Sequence, residues 1–152
     1  MEARKHIRVR TFGFFDLFVD GKVVIFTNRR AKELLAILVD NRGGMVPTEK
    51  IIDVFWPEEP ESEGNKSIFR KALVSLKKTL FTYDIQHILI SERGQKGVVS
   101  SELDCDYYRA LVGDAGALSE YFGEYMVGYS WAEKTNKRIC AIAEKEKAGV
   151  RK

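Results

Sequence analysis

The stretch that decides the fold is Asn65–Phe81, NKSIFRKALVSLKKTLF, which holds five lysines and arginines and no aspartate or glutamate. At about 100° per residue its large apolar residues fall within one narrow stripe of a helix, formed by Phe69, Leu73, Leu76 and Leu80. A separate arc of about 140° is occupied by Lys66, Ser67, Arg70, Lys71, Val74, Lys77 and Lys78. The stretch therefore predicts a helix with one core face and one basic face.

Charge is segregated along the chain, although the net charge is only +3. Residues 58–64 carry four acids and no base, residues 65–97 carry seven bases and two acids, and residues 98–133 carry one base and seven acids. Such segregation is a candidate footprint for a polyanionic partner. For any single run, the alternative is a solvated face.

The chain before this helix predicts a small sheet and two helices. Residues 6–26 predict three antiparallel strands, since Asp20-Gly21 between apolar runs is a hairpin signal. Thr27 or Asn28 is expected to cap a first helix that ends at residues 41–44, and Thr48 a second helix that Pro57 terminates.

After the basic helix, residues 88–104 predict a β-hairpin, with its wing at residues 91–98 and Arg93, Gln95 and Lys96 near the tip. The predicted fold class is therefore α+β. Its element order is that of a winged helix-turn-helix with an N-terminal antiparallel sheet and a C-terminal hairpin wing, followed by a short helical extension.

Three stretches resemble the winged-helix effector domain of OmpR/PhoB-type regulators, and more closely the version in SARP-type bacterial transcriptional activators. They are RTFGFFDLFVDGKVV at 10–24, RRAKELLAILVDNRGGMVPTEKIIDVFWPEEPE at 29–61, and NKSIFRKALVSLKKTL at 65–80. In the resemblance, residues 65–81 are the recognition helix. Where many relatives carry a basic residue or histidine on its DNA side, this chain has Ala72, Val74 and Ser75.

The last third resembles the start of the bacterial transcriptional activation domain that follows the winged helix in SARP-type proteins. The likeness rests on LDCDYYRALVGD at 103–114 and ALSEYFGEYMVGYSWAEKTNKRI at 117–139. It implies a winged-helix domain over 1–103 and a helical extension over 104–152. It also implies a cytoplasmic transcription regulator of the two-component or SARP kind, binding double-stranded DNA as a homodimer and contacting RNA polymerase.

A major groove admits one helix, so the basic arc provides the candidate DNA contacts. Arg70 is the first candidate for a guanine edge and Lys71 the second, while Lys66 and Ser67 reach a phosphate or a base. Val74 either touches a thymine methyl or packs against a neighbouring segment. Lys77 and Lys78 are expected on phosphates. The wing residues Arg93, Gln95 and Lys96 are expected in the minor groove, and Arg29, Arg30 and Thr48 on the backbone.

Other functions are less well supported by the sequence. His6 and His87 have no visible catalytic partner, and ELDCD at 102–106 offers too few ligands for a metal. The glycine-containing stretches are not phosphate loops, because in none is a glycine followed directly by a lysine and then a serine or threonine. We therefore expect no enzyme, metal or cofactor. We expect no membrane partner, because no apolar run approaches about 18 residues. The alternative function is a protein-interaction module that has lost DNA binding, since fold does not fix function.

Overall fold

The computed structural model describes residues 5–59 and 62–150, which fall into two compact units. The first unit contains residues 5–23 and 103–150, and the second contains the described residues between 24 and 102. The strands of the described chain are β1 (Ile7–Arg10), β2 (Asp16–Val19), β3 (Lys22–Val23), β4 (Val46–Pro47), β5 (Leu89–Glu92), β6 (Gln95–Val98) and β7 (Asp104–Cys105). Its helices are α1 (Arg29–Asp40), α2 (Thr48–Phe55), α3 (Glu63–Thr82), α4 (Asp106–Leu111), α5 (Ala115–Ser119) and α6 (Glu133–Val150). The predicted α+β class is confirmed.

The first unit is built on a four-stranded sheet in the order β3-β2-β1-β7. The three N-terminal strands pair antiparallel as predicted, and Asp20 and Gly21 turn between β2 and β3 with φ of 48° and 84°. Positive φ at both positions suits the right-handed twist of a two-residue hairpin. Every second residue along β1 and just after it, namely Ile7, Val9 and Thr11, is buried.

The fourth strand of this sheet was not predicted. β7 pairs parallel with β1, with Arg8 opposite Asp104 and Val9 opposite Cys105. The chain after residue 102 thus completes the sheet that the N-terminus begins. The two compact units divide the chain after residues 23 and 102. The predicted assignment of domains, with one boundary after residue 103, stays a prediction.

The carboxylate of Asp106, which is 4% exposed, joins the two halves of the first unit. It accepts hydrogen bonds from the Thr11 backbone N–H at 2.9 and 3.0 Å, from the Thr11 hydroxyl at 2.5 Å and from the Phe12 N–H at 3.0 Å. It also accepts from the Tyr107 N–H at 2.8 Å. Asp106 is the first residue of α4, and no side chain caps that helix. Its carboxylate instead satisfies buried donors about a hundred residues away in the chain.

The second unit contains α1, α2, α3 and a sheet in the order β4-β6-β5. Asn28 caps α1 as predicted, since its side-chain oxygen accepts from the Ala31 N–H at 3.0 Å. The predicted cap of α2 is wrong. Thr48 is the first residue of α2, Pro47 occupies the cap position, and no side chain caps the helix. The Thr48 backbone N–H instead donates to the Gly94 carbonyl at 2.9 Å.

The basic helix α3 begins at Glu63, two residues before the predicted start. The Ser62 hydroxyl accepts from the Asn65 N–H at 3.4 Å and serves as the cap. Glu63 and Gly64, which lie before the predicted start of the helix, are helical. An acidic first turn is favourable because it faces the positive end of the helix dipole.

We expect Asp106→Ala to lower the free energy of unfolding of the first unit by about 3 kcal/mol, because several buried donors lose their acceptor. Urea titration followed by Trp131 fluorescence in a Trp56→Phe background measures this unit. The matched control is Asp114→Ala, which removes the cap of α5 at an exposed position and should cost about 1 kcal/mol. Equal losses would contradict the role assigned to Asp106.

The two cysteines should differ sharply in reactivity. Cys105 is 1% exposed, and burial, followed by the nearby Asp106 charge, raises the pKa of its thiol to about 12. Cys140 is exposed. With a disulfide-exchange reagent at about pH 8 we expect one fast thiol in the native chain and two after unfolding, because only the thiolate attacks. Two fast thiols in the native chain would contradict the packing around Cys105.

Candidate nucleic-acid interface

The core face of α3 fixes the direction of its basic face. Phe69, Leu76 and Leu80 are buried as predicted, and the helix packs on α1 and α2. Ala72, which the sequence placed on the DNA side, is fully buried, and Leu73 is only half-buried. The stripe is therefore shifted toward Ala72, because residues three and four apart share a helix face.

Four cations of α3 are exposed to solvent: Arg70, Lys71, Lys77 and Lys78. Lys66 and Ser67 are half-buried, and the Lys66 ammonium lies 3.5 Å from Glu63. Among the residues that the structure describes, the four exposed cations make no ion pair. The arc therefore presents positive charge that no carboxylate of the described chain compensates, and such charge attracts a phosphate backbone.

One side of this arc lines a groove of about 860 Å³, which we call the Ile25 groove. The groove is also lined by Ile25 and Thr27, whose segment is held where the Ile25 N–H donates to the Tyr83 hydroxyl oxygen at 3.0 Å. The predicted contact residues that line it are Ser67, Arg70, Lys71, Val74 and Lys78. Val74 is 52% exposed, so its side chain remains available to a ligand.

A second groove, of about 570 Å³, brings the predicted residues Thr48, Lys66 and Arg70 together beside Gly94 of the hairpin turn. The hydrogen bond from the Thr48 N–H to Gly94 ties α2 to this turn. The start of α2 and the turn of the hairpin thus lie side by side. The sequence implied this arrangement only through the resemblance.

The hairpin is present, but one of its three predicted contact residues is wrongly placed. Arg93 is exposed at the turn between β5 and β6, and Gln95 donates to the Glu92 carboxylate at 2.6 Å. Lys96 is only 6% exposed. Its ammonium donates to the carbonyls of Glu92 and Gln95 at 2.5 and 3.3 Å.

Lys96 lies in β6, the central strand of its sheet, opposite both Val46 and Ser91. Burial lowers the pKa of its ammonium, the charge of Lys77 lowers it further, and Glu92 opposes the shift. Lys96 therefore holds the hairpin internally and does not belong to the tip.

The start of α1 separates the two predicted arginines. Arg29 is exposed. The Arg30 guanidinium lies 3.0 Å from the Glu33 carboxylate and 5.0 Å from the ring centroids of both Phe55 and Trp56. Arg30 is thereby held by an ion pair and cation–π contacts, which sequence reasoning missed because its aromatic partners lie at the end of α2 and just after it.

The histidines lie outside this surface. The imidazole of His6 is 2.9 Å from Asp104, and that of His87 is 3.8 Å from Glu102. Nowhere in the described ranges do three His, Cys, Asp or Glu residues come together as a possible metal site. No described helix has the length and apolar character needed to cross a bilayer.

No family model matches the chain, and no curated protein matches its sequence. A solved structure of Mycobacterium tuberculosis EmbR, in complex with a low affinity phosphopeptide, matches 94% of this chain with a TM-score of 0.68. At 19% identity the likeness shows the fold alone, and the chain spans 43% of that EmbR chain. It supports a fold shared with that EmbR chain, while the finer winged-helix assignment stays a prediction.

Proposed function

We propose that this protein binds double-stranded DNA in a sequence-specific manner as a bacterial transcription regulator of the SARP type. The observation that carries the proposal is the row of four exposed cations on α3 without a carboxylate partner in the described chain. Support comes from the fold shared with EmbR, a SARP-family regulator with an OmpR-like winged-helix domain.

In this proposal α3 enters the major groove. The Arg70 guanidinium donates to guanine O6 and N7, since its planar fork matches that pair of acceptors. Lys71 lies next to it, and Val74 contacts a thymine methyl. Lys77 and Lys78 bind phosphates, which sets the register without reading sequence, while Lys66 and Ser67 contact a phosphate or a base.

The hairpin turn carries Arg93 into the adjacent minor groove, where a narrow A·T-rich form attracts arginine. Gln95 flanks it. Arg29 and Thr48 remain candidates for the sugar-phosphate backbone. Lys96 is left out of the proposed contacts because its side chain is buried. Arg30 is left out because its guanidinium forms an ion pair with Glu33.

On DNA, two copies are proposed to occupy a direct or inverted repeat. The acidic residues 98–133 and the helical segment after residue 103 are proposed to contact a neighbouring copy or RNA polymerase. A cytoplasmic, DNA-bound homodimer follows from the same assignment. These partners belong to the proposal, since the chain matches less than half of the EmbR chain.

One observation favours a protein-interaction module as the second candidate. In the first unit Val112 is 83% exposed and Phe122 is 86% exposed, and a partner that covers such side chains would gain free energy from burying apolar surface. Salt separates the candidates. Neutralising several phosphates makes affinity fall steeply with salt concentration, whereas apolar docking depends on salt only weakly.

Arg70→Ala should weaken binding to a selected duplex by about 1–3 kcal/mol and relax preference at one base position, because a bidentate guanine contact is lost. The duplex is obtained by selection from a randomised pool, and affinity is measured by fluorescence anisotropy across a salt titration.

The matched control for Arg70 is Arg138→Ala, which removes an exposed arginine of α6 in the first unit. It should leave affinity and base preference unchanged. Equal effects of the two substitutions, or no enriched motif at low salt, would refute sequence reading by α3.

Arg93→Ala and Lys96→Met should differ in their effect on salt dependence. Loss of a minor-groove arginine should reduce the magnitude of the salt slope by about 1. Lys96→Met should leave the slope unchanged, since the buried ammonium contacts protein carbonyls. A slope that falls with Lys96→Met and not with Arg93→Ala would reverse the assignment of the hairpin residues.

A further inference from the structure

The Ile25 groove has an apolar floor that phosphate binding does not require. Ile25 is 69% exposed and Val74 is 52% exposed, and the two face the same groove. A DNA backbone is charged, and of the base edges only the thymine methyl is apolar. Exposed apolar side chains that are rimmed by polar ones are typical of a protein-binding surface.

The rim of the groove is cationic. Arg70, Lys71 and Lys78 lie along the α3 side, and in the part of the chain that the structure describes none of them pairs with a carboxylate. The groove thus combines an apolar floor with a positive rim. We propose that it docks an acidic amphipathic helix of a partner protein, which competes with DNA for α3.

The dimensions of the groove fit a helix. Its α3 wall extends from Ser67 to Thr82, a length of about 22 Å at 1.5 Å per residue. A partner helix of about four turns would cover it, placing apolar residues at i, i+3, i+4 and i+7 on the floor. An open, elongated groove of this kind suits a helix better than it suits an enclosed small molecule.

The groove is also formed in advance. The segment that carries Ile25 is held at one end by the hydrogen bond from the Ile25 N–H to Tyr83, and at the other by Asn28 where it caps α1. A wall that is already ordered reduces the entropy lost on binding. Docking of the helix does not depend on the proposed function, whereas competition with DNA does.

The probe is a fluorescein-labelled synthetic peptide of about 16 residues, with leucines at helix-face spacing and glutamates between them. A control peptide has the same composition with its leucines spread around the helix. By anisotropy, the patterned peptide should bind at least about tenfold more tightly than the control peptide, because only it presents an apolar face.

Ile25→Ser should weaken binding of the patterned peptide about tenfold by removing exposed apolar contact area. Phe14→Ser, at an exposed site of the first unit, should leave it unchanged. Val74→Ser tests the opposite side of the groove, and circular dichroism verifies the fold of each variant. The patterned peptide should displace a selected duplex from the wild-type chain.

The docking proposal would be overturned if the two peptides bound equally, or if wild type and Ile25→Ser bound the patterned peptide equally. Charge alone would then explain the binding of the peptide. Docking without displacement of the duplex would overturn competition. Failure to select any duplex would remove the proposed DNA binding and leave peptide docking to stand on its own measurement.

Discussion

The hydrogen bonds to the Asp106 carboxylate are the interaction on which the first unit depends. Burying a carboxylate is costly unless its oxygens are satisfied, and here the backbone of Thr11 and Phe12 provides the donors. The same chain segment is held again where the Met126 N–H donates to the Thr11 carbonyl at 2.7 Å and the Gly13 N–H to the Glu124 carbonyl at 3.0 Å. One short stretch after β1 thereby organises strands and helices that are distant in sequence.

In the second unit the core of α3 determines what the surface can do. Burying Phe69, Ala72, Leu76 and Leu80 leaves the cations on the opposite side in water. The side chains there have few internal partners, so their charge is available to a ligand. The proposed DNA binding therefore depends on the side chains of α3 that the core does not bury.

The two proposed ligands of this surface use the same cations for different reasons. DNA is attracted by charge density and read by hydrogen bonds, whereas an acidic helix also requires the apolar floor between Ile25 and Val74. Under the two proposals together, a protein partner that covers this surface would control its occupancy by DNA.

The sequence by itself determined the elements whose information is local. The period of residues 65–81, the Asp20-Gly21 turn and the Asn28 cap each act within a few residues, and the structure contains them. Only tertiary structure decided that Lys96 lies in a central strand, that Arg30 contacts the rings of Phe55 and Trp56, that Ala72 belongs to the core and that β7 joins β1. The partners in these contacts are distant in sequence, and a pattern along one element carries no information about which distant element will cover it.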